Sequence, residues 1–170
     1  VVAVEDEHFY SNIFVDIIYG AGRAVFSSHA NGDPGGATIA QQLAKRLYAN
    51  GSGIGTTFEE LGFAVKLSLQ YSKPQVLGMY LNAVYYGNGY WGAEAAAKGY
   101  FGVSPGALDW AEAAMLAGLP QAPSAYDPLR HFALAKERQL HVLARLVATR
   151  TITQSLANAA GGETLLFKRQ

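Results

Sequence analysis

The chain has 170 residues, with 13 basic against 13 acidic side chains, half of its residues hydrophobic and 15% charged. That length suits one domain with a real core, which at this size buries about 70% of the surface its unfolded chain exposes. The composition excludes a disordered tail, the balanced charge excludes a global field that draws nucleic acid, and the absence of cysteine excludes a disulfide scaffold, a thiol nucleophile and a Cys-ligated metal.

The chain opens inside an apolar run, Val1-Val2-Ala3-Val4. Domains seldom begin so, and the expectation is an excised domain whose upstream part is missing. No apolar run reaches the 18 or so residues that span a bilayer, and no signal peptide is visible. The 10 Tyr, 8 Phe and 2 Trp fill a core or, in part, meet lipid.

No internal repeat is present. Ser28 to Gly36 is loop-like, rich in Gly, Asn, Asp and Pro. After Gly35-Gly36, Ile39, Leu43 and Leu47 recur every four residues and predict a helix, with Thr38, Gln42 and Lys45 on another face. Gly51 to Gly55 is a second loop. Phe58 to Gln70 predicts a helix with Leu61, Val65 and Leu69 on one stripe. Ser72 followed by Gln75 is a capping box with Pro74 in the first turn, opening a helix with Val76, Leu77, Tyr80, Leu81 and Val84 inward. Tyr85 to Tyr90 (Y-Y-G-N-G-Y) is a turn or short hairpin. Asp109 with Glu112 is another capping box; its helix runs Trp110 to Ala117 and stops at Gly118, before Pro120. Leu134 to Val147 is a last amphipathic helix. No period-2 strand series appears, so the class is mostly α.

Four places carry candidate chemistry. Glu5-Asp6-Glu7 stands just after the apolar run; these acids either favour a helix N-terminus or supply a general base, partly desolvated beside Phe9 or Tyr10. Gly35 to Lys45 leads a Gly-Gly turn into a helix start, where free N–H groups face an anion. Thr38, Gln42 and Lys45 add a hydroxyl, an amide and a cation, a donor set suited to a phosphorylated sugar, or else form an ordinary solvated face. Glu59-Glu60 is a helix-start acid pair or a second functional carboxylate that binds a metal ion. Arg138 is a surface cation or an anion-binding one. The histidines at 8, 29, 131 and 141 lack metal-ligand spacing, and no Ser-His-Asp order or G-x-S-x-G elbow exists.

Taken together, these segments resemble the peptidoglycan glycosyltransferase (transglycosylase) domain of bifunctional penicillin-binding proteins and monofunctional transglycosylases, from Val1 to about Thr153. E-D-E-H-F at 5–9 is similar to the family's first motif, E-D-x-x-F-x-x-H. G-G-A-T-I-A-Q-Q-L-A-K at 35–45 is similar to the second, the long and specific G-G-S-T-I-T-Q-Q-L-x-K. Glu60 stands at the acid of the third, R-K-x-x-E. Y-S-K-P-Q-V-L-G-M-Y-L-N at 71–82 and R-Q-L-H-V-L at 138–143 resemble the fourth and fifth.

The resemblance implies a mostly α, lysozyme-like, two-lobed helical domain with a long substrate cleft, here residues 1–158, followed by a frayed tail at 159–170. It implies lipid II and a lipid-linked glycan chain as substrates, an upstream membrane anchor, and a place on the extracytoplasmic face of the bacterial inner membrane. Ile13 to Phe26 then falls where the family dips into the membrane surface, or else is an ordinary core helix. Other cell-wall synthesis proteins are expected partners; nucleic acid is not. By resemblance Glu5 and Glu60 are the catalytic acids, Glu5 the base and Glu60 the holder of a divalent magnesium or manganese ion; no organic cofactor is expected. Asp6, Phe9, Asn12, Thr38, Gln41, Gln42, Lys45, Arg46, Lys73, Asn82 and Arg138 are the expected substrate-binding residues.

The departures weaken charge at the phosphates. Asn12 replaces the motif-one His, Ala37 and Ala40 replace Ser and Thr, and Arg46 stands for Asn. Thr56 and Thr57 replace both basic residues of motif three, Gly78 a Glu, and Gln139 an Arg. Each lost charge-assisted bond to phosphate costs about 1.5–3 kcal/mol. The competing reading is therefore a catalytically impaired relative that binds lipid-linked precursor or acts as a scaffold. A third, a lysozyme-like hydrolase, rests on paired acids in a helical fold and is opposed by the G-G-A-T-I-A-Q-Q run.

Overall fold

The computed structural model describes residues 1–6, 8–10, 38–48 and 54–168, with 48 and 54–61 described by backbone alone. The described residues are helical apart from turns and one antiparallel bridge, Tyr85 to Trp91. Eight α-helical segments follow in order: α1 (Val2–Glu5), α2 (Ile39–Tyr48), α3 (Ile54–Gln70), α4 (Lys73–Ala83), α5 (Ala93–Tyr100), α6 (Trp110–Gly118), α7 (Phe132–Ala148) and α8 (Gln154–Gly162). Short 3-10 turns at Pro105–Ala107 and Leu119–Gln121 precede and follow α6. Among the described residues no helix is long and apolar enough to cross a membrane. The expected loop at Ser28 to Gly36, the apolar stretch Ile13 to Phe26 and Asn12 lie outside the described residues.

The chain divides into two compact units. The first is Val2 with Val4–Ala83, and the second is Val1, Ala3 and Val84–Gln170.

In the first unit α2 packs against α3 and α4. Ile39 and Leu43 are fully buried as the four-residue spacing predicts, but Leu47 is half exposed, and Ala40 and Ala44 complete the inward face. The α3 stripe has a different phase from the expected one. Ala64 and Leu67 are buried, whereas Leu69 is 70% exposed. This helix is apolar on most sides, so spacing alone does not fix which stripe faces inward. The helix also begins at Ile54, inside the expected Gly51–Gly55 loop, and so takes Thr56 and Thr57 into its first turn. In α4, Val76 and Tyr80 are buried, with Val84 just beyond, while Leu77 and Leu81 are half-buried. Gln75 reaches back to the Ser72 N–H at 2.9 Å, as the capping signature predicts.

The second unit opens with the turn expected at Tyr85–Tyr90. Gly87, Asn88 and Gly89 all take positive φ (88°, 48° and 79°), the left-handed region that explains the G-N-G sequence. The Asn88 amide donates to Tyr100 Oη at 3.0 Å and to the buried Asp127 carboxylate at 2.8 Å, tying the turn to the loop before α7. At α6 the capping box is reciprocal: Asp109 accepts from the Glu112 N–H at 2.8 Å and Glu112 accepts from the Asp109 N–H at 3.2 Å. The helix ends at Gly118, and α7 covers the predicted Leu134–Val147 with a few residues more.

Helices α1, α5 and α8 are additional to the expected set, and Glu5 ends α1 rather than opening a helix. Residues 159–168, expected as a frayed tail, are ordered. Helix α8 runs to Gly162 and packs on α7; Phe167 stacks on Phe101 at 5.3 Å and meets Tyr100 and Phe132 edge-on; the Lys168 N–H donates to the Tyr100 carbonyl at 2.7 Å. G-G-E-T carries no periodic signal, while Ala160 is buried and Phe167 finds its ring partners at residues distant in sequence.

Candidate active site

The first-unit site grows from one helix start. Thr38 Oγ1 accepts from the Gln41 N–H at 3.2 Å and Gln41 Oε1 accepts from the Thr38 N–H at 3.0 Å, so T-x-x-Q closes a capping box on α2. Asp6 Oδ2 accepts from the next N–H, that of Ile39, at 3.0 Å. A carboxylate is stabilised there by the positive end of the helix. One acid thereby fastens the E-D segment to the T-I-A-Q-Q segment.

The neighbouring acid is then delivered to the helix side. Glu5, the last residue of α1, accepts at Oε2 from Gln42 Nε2 at 3.2 Å. Gln42 in turn accepts at Oε1 from the Tyr80 hydroxyl of α4 at 3.0 Å. Below this chain Phe9 is 1% exposed, with the Lys73 ammonium 5.0 Å from its ring centre, a cation–π contact joining the first motif to the start of α4. Lys45 follows Gln42 by three residues, on the same side of α2, and both Lys45 and Arg46 are exposed in its last turn.

Seven of the expected residues, Glu5, Asp6, Phe9, Thr38, Gln41, Gln42 and Lys73, are thus interlocked. Thr38 and Gln41, expected among the groups that orient substrate, turn their side chains to the helix end, and Thr38 is buried. Asn82 is exposed at the end of α4. Glu60 lies on α3 with its backbone alone described, and Asn12 lies outside the described residues. Among the described residues no three of His, Asp and Glu lie together as a metal cage.

Arg138 belongs to the second unit. Its Nε donates to the Gly118 carbonyl at 3.4 Å, and its guanidinium lies 5.9 Å from the centre of the Tyr126 ring. Its stem crosses the end of α6 so closely that a β-carbon at Gly118 would stand 2.8 Å from Arg138 Cγ, which is why glycine serves there. Gln139, at the second Arg of motif five, is fully buried and donates to the Ala111 carbonyl at 2.7 Å. Gln139 thereby clasps α7 to α6.

Tyr80 is the residue that sequence reasoning missed, since its spacing reads as plain core. The available signal was its chemistry: a hydroxyl at an inward position needs a polar partner.

The comparisons with known proteins bear on the same segments. Residues 1–147 match the transglycosylase family model. The chain belongs to the transglycosylase family. Penicillin-binding protein 1A of Neisseria lactamica is 38% identical over 99% of this chain, and penicillin-binding protein 2a of Streptococcus pneumoniae is 41% identical over 87%. The chain spans about a fifth of the length of these relatives, 21% and 20%. Among solved structures, penicillin-binding protein 1A from Haemophilus influenzae is similar with a TM-score of 0.52 and 28% identity, over 77% of this chain and 16% of that one. The fold is therefore the mostly helical, lysozyme-like one of transglycosylase domains, and the two tightly bonded motif segments at Glu5-Asp6 and Thr38–Gln42 lie within the family match.

Proposed function

We propose that this transglycosylase-family domain is a peptidoglycan glycosyltransferase, joining lipid II to a lipid-linked glycan chain on the extracytoplasmic face of the bacterial inner membrane. The observation that carries the reading is the Glu5–Gln42 contact, with Asp6 bonded to the Ile39 N–H beside it. It puts an acceptor-only carboxylate at the edge of the helix that bears the family's T-I-A-Q-Q-L-A-K run.

In this reading the Glu5 carboxylate takes the proton from the GlcNAc 4-hydroxyl as that oxygen bonds to C1 of the donor MurNAc. The bond from C1 to the lipid pyrophosphate breaks and the pyrophosphate leaves with the electron pair. One displacement turns the α-linked donor into a β-1,4 link, so no covalent enzyme intermediate forms. Lys45 is the cation of the first unit assigned to the pyrophosphate. Glu60 would hold a magnesium or manganese ion, which would supply positive charge for the departing pyrophosphate. Gln42 orients the base, Lys73 and Phe9 support its segment, and Asn82 and Arg46 line the substrate side.

The test is polymerisation of fluorescent lipid II by the chain with its native flanks. Wild type should yield glycan, and Glu5→Gln should lower the rate at least about 10²-fold, the ordinary worth of a general base. Binding of lipid II without product in the wild type would select the impaired, precursor-binding relative instead. That reading draws on Thr56 and Thr57, which stand where the resemblance expects two cations.

A further inference from the structure

We infer that Tyr80 is a positioning residue for Glu5, acting through the amide of Gln42. The inference rests on the reading of Glu5 as the base and goes beyond it, because it names the group that anchors the far end of the Gln42 amide that meets the base.

The argument is one of hydrogen-bond polarity. A glutamine amide has a donating and an accepting end of nearly equal size, and its terminal torsion is soft, with two broad wells. Facing a carboxylate, the two ends are opposite in effect: the N–H attracts it and the carbonyl oxygen repels it. Glu5 therefore selects the N–H end, and what remains to be fixed is where the far end of the amide is held. The Tyr80 hydroxyl is 3.0 Å from Gln42 Oε1, and Gln42 Nε2 is 3.2 Å from Glu5 Oε2. Glu5 as a carboxylate only accepts, so the amide nitrogen must face it. The amide oxygen then faces the phenol, and the phenol must donate. The chain runs in one direction, from Tyr80 O–H to the Gln42 carbonyl and from the Gln42 N–H to Glu5, and each bond polarises the next.

Tyr80 suits this task because it cannot move. It is fully buried, between Val76 and Val84 at four-residue spacing, both at 1% exposure or less. Helix α4 packs on α2, so the hydroxyl is fixed relative to the backbone that carries Gln42. At the other end, the Asp6 bond to the Ile39 N–H holds the residue after Glu5 to the same helix. The base is thus referenced twice to α2, once through its neighbour's backbone contact and once through a side-chain relay that ends in the core. Phenylalanine at 80 would fill the same volume and keep the packing, while removing the hydroxyl that faces Gln42 Oε1.

The experiment is a double-mutant cycle on lipid II polymerisation with the flanked chain, using Tyr80→Phe, Gln42→Ala and the pair. Tyr80→Phe should lower kcat about 5- to 10-fold, roughly 1–1.4 kcal/mol, the worth of one hydrogen bond, with KM within about twofold. In the Gln42→Ala background the same change should cost nothing further. Losses that multiply in the double variant, or a rise in KM with kcat unchanged, would mean that Tyr80 acts by another route and overturn the inference. A second measurement is independent of turnover. The Gln42 side-chain amide protons, followed by NMR with 15N labelling, should exchange with solvent faster in Tyr80→Phe than in wild type; unchanged exchange would show that the phenol does not hold the amide. Glu5→Gln separates the two claims: retained activity there defeats the base assignment, and the amide exchange still reports on Tyr80.

Discussion

A buried tyrosine hydroxyl shapes this molecule in two places, once in each unit. Tyr100 is fully buried, donates to the Tyr86 carbonyl at 2.9 Å and accepts from Asn88. Burial pushes its phenol up to about 12, from an ordinary value near 10, with the Asn88 hydrogen bond pulling the other way. Between those two values the folded state keeps the proton that the unfolded state has shed, so stability falls as pH rises. The contribution is complete below about pH 10. Denaturant midpoints measured from pH 8 to 12 should therefore drop beyond pH 10, and Tyr100→Phe should flatten that drop while lowering stability at pH 8 by about 1–3 kcal/mol, the worth of the two hydrogen bonds its hydroxyl makes. An unchanged alkaline slope would assign the drop to other groups. Neither tyrosine's role was visible in its spacing. Tyr80 reads as one more inward residue at i+4, and its partner Gln42 lies 38 positions away.

At the scale of elements, helix ends were the most legible feature, because a cap is written within four residues. Asp109 with Glu112 closes reciprocally as expected, and at Ser72 the Gln75 half of the box forms, while the Ser72 hydroxyl donates to Gln75 Oε1 rather than accepting from its N–H. Thr38 with Gln41 obeys the same rule, so the pair expected to touch substrate also builds the start of α2. Asp109→Ala should lower stability by about 1 kcal/mol, within the usual range for a lost N-cap, read as a drop in Tm with no change in the pH profile of turnover. Faces were less legible than ends. Helix α2 has polar residues enough to fix its phase, and Ile39 and Leu43 go inward as predicted. Helix α3 does not, and among its described side chains Ala64 and Leu67 are buried in place of the expected Leu69.

At the scale of the molecule, the closing segment shows how a weak local signal becomes structure. Phe167 is half-buried against Phe101, Tyr100 and Phe132, side chains supplied by α5, its C-terminal edge and α7. Phe167→Ala should cost about 1–2 kcal/mol, less than the 3–5 of a fully buried Phe because part of the ring stays wet. Thermal unfolding is the measurement, and an unchanged midpoint would return residues 163–168 to the status of a tail.

The sequence by itself determined the helical class, the caps and, through the order of its motifs, the transglycosylase family. These are statements about residues a few positions apart, or about a pattern that can be matched without folding the chain. Only the tertiary structure decided that Asp6 fastens one motif to the next, that Gln42 stands between Glu5 and Tyr80, and that Gln139 turns inward to α6. Those contacts join residues 28 to 38 positions apart, and a hydrogen bond needs its donor and acceptor within about 3 Å, a condition that helix periodicity does not specify and that packing alone enforces.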